Sequence, residues 1–133
     1  MIWIGHSTFL IKKNNLTILT DPVFSDRASP FKRFGPKRLI PPSITIEELP
    51  PIDVVTISHN HYDHLDIRAL KKLSKANPDL LFLIPEGDLD IFKKRNIPNV
   101  TEFDWWEDIA IDEFLFTFTP VQHLSLIHIS EPT

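Results

Sequence analysis

Apolar and polar residues fall in short blocks along this chain, and the spacing inside each block predicts an element. Trp3 to Lys12 and Leu16 to Thr20 are rich in β-branched and aromatic residues. Separated by Lys13, Asn14 and Asn15, they read as the two arms of a β-hairpin. From Asp21 to about Ile44 neither alternation nor helical periodicity survives, and Pro22, Pro30, Pro36, Pro41 and Pro42 punctuate the stretch. A connection of that length in a compact domain usually lines a site. Thr45 to Leu49 predicts one short helical turn before Pro50 and Pro51 stop it. The unbroken apolar and β-branched run Asp53 to Ser58 predicts a buried strand. Asp66 has the spacing of a cap on a helix reaching about Ala76, with Leu70 and Leu73 on one face and Pro78 past its end. Leu80 to Ile84 then predicts another buried strand, and Asp88 to Arg95 a helix with Leu89 and Phe92 inward. A short strand at Asn99 to Phe103 follows, and a stronger one at Phe114 to Thr119, where Phe114, Phe116 and Phe118 alternate. Strands, then helices, then strands indicate a layered α/β sandwich. There is no internal repeat or low-complexity tract.

Composition narrows the function classes. The 133 residues, 42% hydrophobic and 24% charged, suffice for one domain or a piece of one. Apolar runs such as Leu80 to Ile84 are far short of the roughly 20 residues that a membrane-spanning helix needs. The first residues carry no basic start and no apolar leader, and cysteine is absent, so the expected setting is cytoplasmic. A formal net charge of −4 argues against nucleic acid as a general partner, because phosphate neutralisation needs a strongly basic face. Charge is nonetheless uneven. Arg27, Lys32, Arg33, Lys37 and Arg38 share one acid-free stretch, while Glu102, Asp104, Glu107, Asp108, Asp112 and Glu113 cluster without a base.

Chemistry concentrates directly after the predicted strand at 53–58, in Ser58-His-Asn-His-Tyr-Asp-His-Leu-Asp66. Neutral imidazoles and carboxylates bind Zn²⁺ well, and two histidines two apart on extended backbone point the same way. His59 and His61 have that spacing, and Asp63 and His64 on the following turn can reach a second ion. Two metals about 3.5–4 Å apart share a hydroxide, lower its pKa toward ~7 and clamp the attacking and leaving oxygens of an ester. A solvated, histidine-rich turn is the bland alternative, and the density of ligand types after a buried strand weighs against it. Asp66 reads as a helix cap in preference to a ligand.

His-x-His-x-Asp-His after a buried strand resembles the signature of the metallo-β-lactamase superfamily, whose fold is an αββα sandwich of two sheets between helices. Trp3-Ile-Gly-His-Ser-Thr-Phe-Leu, Leu19-Thr-Asp-Pro-Val-Phe-Ser-Asp-Arg-Ala-Ser-Pro30, Gly35-Pro-Lys-Arg38, Leu49-Pro-Pro-Ile-Asp53, Asp104-Trp-Trp106 and Thr119-Pro-Val-Gln-His123 extend the likeness. These motifs are similar to the branch that holds N-acyl-phosphatidylethanolamine-hydrolysing phospholipase D and its bacterial relatives. The resemblance implies His59, His61 and His123 as ligands of one metal and Asp63 and His64 as ligands of the second, with zinc the expected ion. It also implies Asp21 as a carboxylate supporting a ligand imidazole; an Asx turn before Pro22 is the equal alternative. His6 receives no role.

Residues 1–123 are expected to be the N-terminal part of such a domain, about the first half of the sandwich. The superfamily's bridging aspartate and last histidine belong to the second half, which the sequence to 123 does not contain. Leu124 to Thr133 resembles translated adapter sequence and is expected to be a non-native tail, so His128 is not read as a ligand. With half its ligands, the piece itself is expected to be inactive.

For the intact parent, the resemblance implies hydrolysis of the phosphodiester of an N-acyl-phosphatidylethanolamine by a metal-bound hydroxide. Phe24, Phe31 and Phe34 interleave with the basic residues of 27–38, a mixture suited to peripheral contact with an anionic membrane. A loop folded on its own domain explains the same residues. Rival readings are a lactonase or a nuclease of the same superfamily, or a non-catalytic metal-binding fragment.

Overall fold

A three-stranded antiparallel meander opens the chain, where the hydrophobic pattern predicted a two-armed hairpin. Strand β1 (Ile2–Gly5) pairs with β2 (Thr8–Lys13), and β2 with β3 (Leu16–Thr20). The predicted first arm is therefore two strands, because the chain reverses between the paired residues Gly5 and Thr8. Gly5 and Ser7 supply the low strand propensity at which a β run breaks. The second reversal falls where predicted. Lys13 pairs with Leu16, and Asn14 takes a left-handed φ of 54°, a conformation asparagine tolerates better than most residues. The computed structural model describes residues 1–5, 7–24, 44–58 and 65–120.

Two compact units divide the chain, residues 1–102 and 103–133. In the first, β4 (Val54–Thr56) lies parallel to β3, and β5 (Leu81–Pro85) parallel to β4. The sheet order is β1-β2-β3-β4-β5-β6, with β6 (Val100–Phe103) at the far edge. Parallel neighbours need a crossover. Helix α1 (Ile67–Ala76) links β4 to β5, and α2 (Leu89–Lys94) links β5 to β6.

Register explains the core. Leu10 pairs with Leu19, Leu19 with Val55 and Val55 with Phe82, so one face carries an apolar row across four strands. Leu70 and Leu73 of α1 and Phe92 of α2 belong to the same cluster, and the Phe92 ring sits 5.5 Å from that of Phe82 at 59°. Each such side chain, fully buried, contributes roughly 1.5–3 kcal/mol relative to exposure. Ile18 and Val54, adjacent in register on the opposite face, are buried as well. Burial of both faces is why β4 reads as an unbroken apolar run and not as an alternating one.

Caps set the element ends. Asp66 caps α1, as its spacing predicted, by accepting from the Ala69 N–H at 3.2 Å. Lys71, Lys72 and Lys75 occupy the exposed face. At the other end the Asn77 amide donates to the Leu73 carbonyl and accepts from the Ile52 N–H. At α2 the Glu102 carboxylate accepts from the N–H groups of Gly87 and Leu89, the second a donor that the helix start leaves unpaired. The predicted helical turn at 45–49 is a 3-10 turn, Ile46–Glu48, closed by the Glu48 carboxylate reaching back to the Thr45 N–H at 2.9 Å.

In the second unit β7 (Asp108–Ile111) and β8 (Phe114–Thr117) form a two-stranded antiparallel sheet. Phe114 and Phe116 share the less exposed face, as their alternation predicted. Strand β7 was not predicted, because Asp108 and Ala110 are residue types depleted in strands. Among the described residues no helix is long and apolar enough to cross a membrane.

Candidate metal-supporting site

Where adjacent parallel strands end, their outgoing loops meet, and in open α/β sheets this edge carries the chemistry. Thr20 and Thr56 pair in register as the last residues of β3 and β4. The chain leaving β3 therefore runs beside the chain leaving β4, which carries the histidine motif.

Asp21 is the first residue out of β3. It is 6% exposed and takes a φ of 37°, a left-handed conformation rarely adopted by a non-glycine residue. Hydrogen bonds in several directions hold it there. Its N–H donates to the Thr56 carbonyl at 2.8 Å, and its own carbonyl accepts from the Thr8 hydroxyl at 2.7 Å. Its carboxylate accepts from the Ser58 N–H through Oδ1 and from the Ser58 hydroxyl through Oδ2, both at 2.7 Å. Strain of this kind persists where the surroundings over-determine it, and such places cluster at functional sites.

The Thr8 hydroxyl, wholly buried, also accepts from the Val23 N–H at 3.1 Å. Thr20 performs a related task at the strand end, its hydroxyl accepting from the Phe9 N–H and donating to the Ser7 carbonyl. Segment 21–24 is thus pinned to the meander by the Thr8 hydroxyl, and the end of β3 by that of Thr20.

Asp66, also 6% exposed, has a second partner besides its own helix. While Oδ1 accepts from the Ala69 N–H, Oδ2 accepts from the Phe24 N–H at 3.0 Å, 42 positions away in sequence. The cap is as the spacing predicted, and this additional tie was not foreseen.

The predicted ligands His59, His61, Asp63, His64 and His123 lie outside the described residues, as do His6, His128 and the basic stretch Arg27, Lys32, Arg33, Lys37 and Arg38. Among the described residues no three histidine, aspartate or glutamate side chains converge on a point. The reading of Asp21 as support for a ligand imidazole concerns those same positions. Its carboxylate does grip Ser58, the residue immediately before His59. Three imidazoles and a carboxylate fall within the six residues after Ser58, donor types suited to divalent zinc or iron.

Sequence reasoning gave no role to Thr8 or Ser58. The available signal was Ser58 itself, a small hydroxyl residue ending an apolar run directly before the motif.

Comparison with known proteins agrees with the sequence motifs. A family described as the beta-lactamase superfamily domain matches residues 16–133. An uncharacterised protein of Mycobacterium tuberculosis is 41% identical over 128 residues, covering 92% of this chain and 33% of the relative. The N-acyl-phosphatidylethanolamine-hydrolyzing phospholipase D 1 of Caenorhabditis elegans is 40% identical over 130 residues, covering 91% of this chain and 36% of the enzyme. This chain therefore spans about a third of the length of these relatives. Among solved structures, CmlA, a diiron β-hydroxylase from Streptomyces venezuelae, superposes with a TM-score of 0.68 at 23% identity, covering 89% of this chain and 23% of that protein. That likeness shows the fold, a partial metallo-β-lactamase sandwich. By motif, by architecture and by the extent of the match, the chain belongs to the beta-lactamase superfamily.

Proposed function

We propose that the protein to which this chain corresponds is a metal-dependent hydrolase that cleaves the phosphodiester of N-acyl-phosphatidylethanolamine-like lipids. The observation that carries the reading is the His-x-His-x-Asp-His motif emerging from β4 directly after a serine held by a buried carboxylate. The identity to the worm phospholipase supports the substrate class. In this reading His59, His61 and His123 hold one ion, and Asp63 and His64 hold the other. Zinc is the expected occupant, and a pair of such ions supplies Lewis acidity that lowers the pKa of water and stabilises charge on phosphate oxygens. The chain's own contribution is to fix where those side chains begin. Asp21 sets the direction in which Ser58 leaves β4, and Asp66 sets the start of the helix that follows. The basic and aromatic residues between 24 and 38 are proposed to face the anionic lipid surface, with no role for nucleic acid.

A second reading applies to the 133-residue chain by itself: a non-catalytic metal-binding piece. Its span of about a third of the relatives favours it. Metal content by atomic emission, together with release of N-acylethanolamine from mixed phosphatidylcholine and N-acyl-phosphatidylethanolamine vesicles, separates the two. Metal with turnover supports the enzyme reading for this chain, and metal without turnover supports the fragment. Absence of bound metal sinks the fragment reading, and its absence from the longer protein sinks the enzyme reading. Faster cleavage of a lactone than of the lipid by the longer protein would move the substrate to the lactonase alternative.

A further inference from the structure

Two buried carboxylates grip the two ends of the motif segment, and both ties lead to the same short stretch of chain. Ser58, just before the segment, is held by Asp21. Asp66, which lies two residues after it, holds Phe24. Residues 21–24 are in turn fixed to β2 by the Thr8 hydroxyl, which donates to the Asp21 carbonyl and accepts from the Val23 N–H.

A helix cap does not need this arrangement. One acceptor oxygen on a serine or threonine satisfies the orphan N–H of a first turn, and Oδ1 of Asp66 already does so toward Ala69. The second oxygen serves a partner 42 residues away, so the aspartate spans two elements where a hydroxyl would serve one. A short segment whose two ends are fixed relative to each other has less freedom to lose when its side chains close around an ion. Pre-organisation of that kind raises affinity without adding a contact to the ligand.

We infer that Asp66 is a positioning residue for the metal ligands, acting with Asp21 as the second of two anchors that set the separation of the segment's ends. The inference rests on the reading of positions 59–64 as metal ligands. It assigns Asp66 no contact with metal or substrate. Loss of an outer-shell support typically weakens metal affinity by about 10–100-fold, and loss of the Asp66 carboxylate is expected to fall in that range.

The test uses the 133-residue chain and cobalt(II), whose visible absorption reports binding, titrated against a competing chelator. Asp66→Ser keeps a capping oxygen and drops the tie to Phe24. Asp66→Asn keeps a capping carbonyl and presents an amide that cannot accept from the Phe24 N–H, and it serves if the serine variant does not fold. Ser58→Ala removes one bond of the other anchor. The inference expects at least tenfold weaker cobalt binding for the Asp66 variants, with metal-free unfolding midpoints lowered by no more than the lost Phe24 hydrogen bond accounts for, because the cap survives. It further expects the loss in Ser58→Ala combined with Asp66→Ser to be smaller than the product of the single losses, since loosening one end already gives the segment part of the freedom that loosening the other would. Cobalt affinity within twofold of the parent, or single losses that simply multiply, overturns it. An unsubstituted 133-residue chain that takes up no cobalt overturns it, whereas only a longer protein without bound metal overturns the functional reading on which it stands.

Discussion

Asp21 and Ser58 meet through two hydrogen bonds of 2.7 Å, one to the serine backbone and one to its hydroxyl, across the ends of two parallel strands. Removing the carboxylate leaves buried or half-buried donors without it. Asp21→Ala is therefore expected to lower unfolding free energy by about 2–4 kcal/mol, combining lost charge-assisted bonds with alanine's discomfort at positive φ. Asp21→Asn should recover most of that, since asparagine tolerates the left-handed region and the serine hydroxyl can turn to accept from its amide. Urea unfolding of the two variants checks the order. Equal losses would show that the Ser58 bonds carry little of the effect.

Phe92 is wholly buried and packs against Phe82. Phe92→Ala should cost about 3–5 kcal/mol through the cavity it opens, whereas Phe92→Leu should cost less. Equilibrium denaturation measures both. A loss below about 1 kcal/mol for alanine would contradict the packing of α2 on the sheet.

Gly87 has a φ of +97°, and nothing lies within 4 Å of the place a side-chain carbon would occupy. Space is not the constraint there; backbone is. Gly87→Ala should cost about 1 kcal/mol, and Gly87→Asn less than alanine. If alanine is neutral in a thermal scan, the left-handed turn before α2 is not as described.

Hydrogen bonds from the Thr45 backbone N–H, and then from the Thr45 side chain, hold the Glu48 carboxyl below the usual carboxylate range. A folded-state pKa below the unfolded value contributes stability that is complete above the unfolded value and is lost as pH falls through the folded one. Glu48→Gln, which cannot ionise, should therefore lie below the parent in urea midpoint at neutral pH, and the gap should close in acid. A gap that widens on acidification would reverse the assigned sign.

Chelation provides a test independent of turnover. A ligand that binds only the folded chain stabilises it by about 2.7 kcal/mol at a hundredfold excess over Kd. Zinc should raise the Tm of the parent, EDTA should reverse the rise, and His59→Ala with His61→Ala should abolish it. A zinc-induced rise that persists in the double variant would place the ion elsewhere.

Much of this architecture was legible in the sequence because local rules and tertiary burial agreed. The Val54–Thr56 strand, the Asp66 cap and the alternation of Phe114, Phe116 and Phe118 each reported a single physical constraint. Predictions failed where two constraints competed. Apolar residues on both sides of Gly5 and Ser7 hid a chain reversal, and acidic residues around Ile109 and Ile111 masked the alternation of β7. At the site, the histidine and aspartate types at positions 59–64 are visible in the sequence. The scaffolding on either side of them is not, because Thr8 to Asp21, Asp21 to Ser58 and Phe24 to Asp66 are hydrogen bonds between residues 13 to 42 positions apart. Sequence spacing carries no record of such pairings.

The mixed order of the sheet also governs the sequence of events in which the molecule assembles. Strands β2 and β3 are joined by a tight turn and can zip within microseconds. By contrast the β3–β4 pairing, fastened where the Thr17 N–H donates to the Asp53 carboxylate at 2.8 Å, must draw together residues 36 apart. Closing so long a loop costs entropy before any contact compensates for it. The meander should therefore form as a template, with the crossover strands docking onto it afterwards. The strand ends at Thr20 and Thr56, with the Asp21–Ser58 tie across them, are then among the last parts to be completed, so an unfinished chain would present the histidine-rich stretch after Ser58 before it had a frame to hold it.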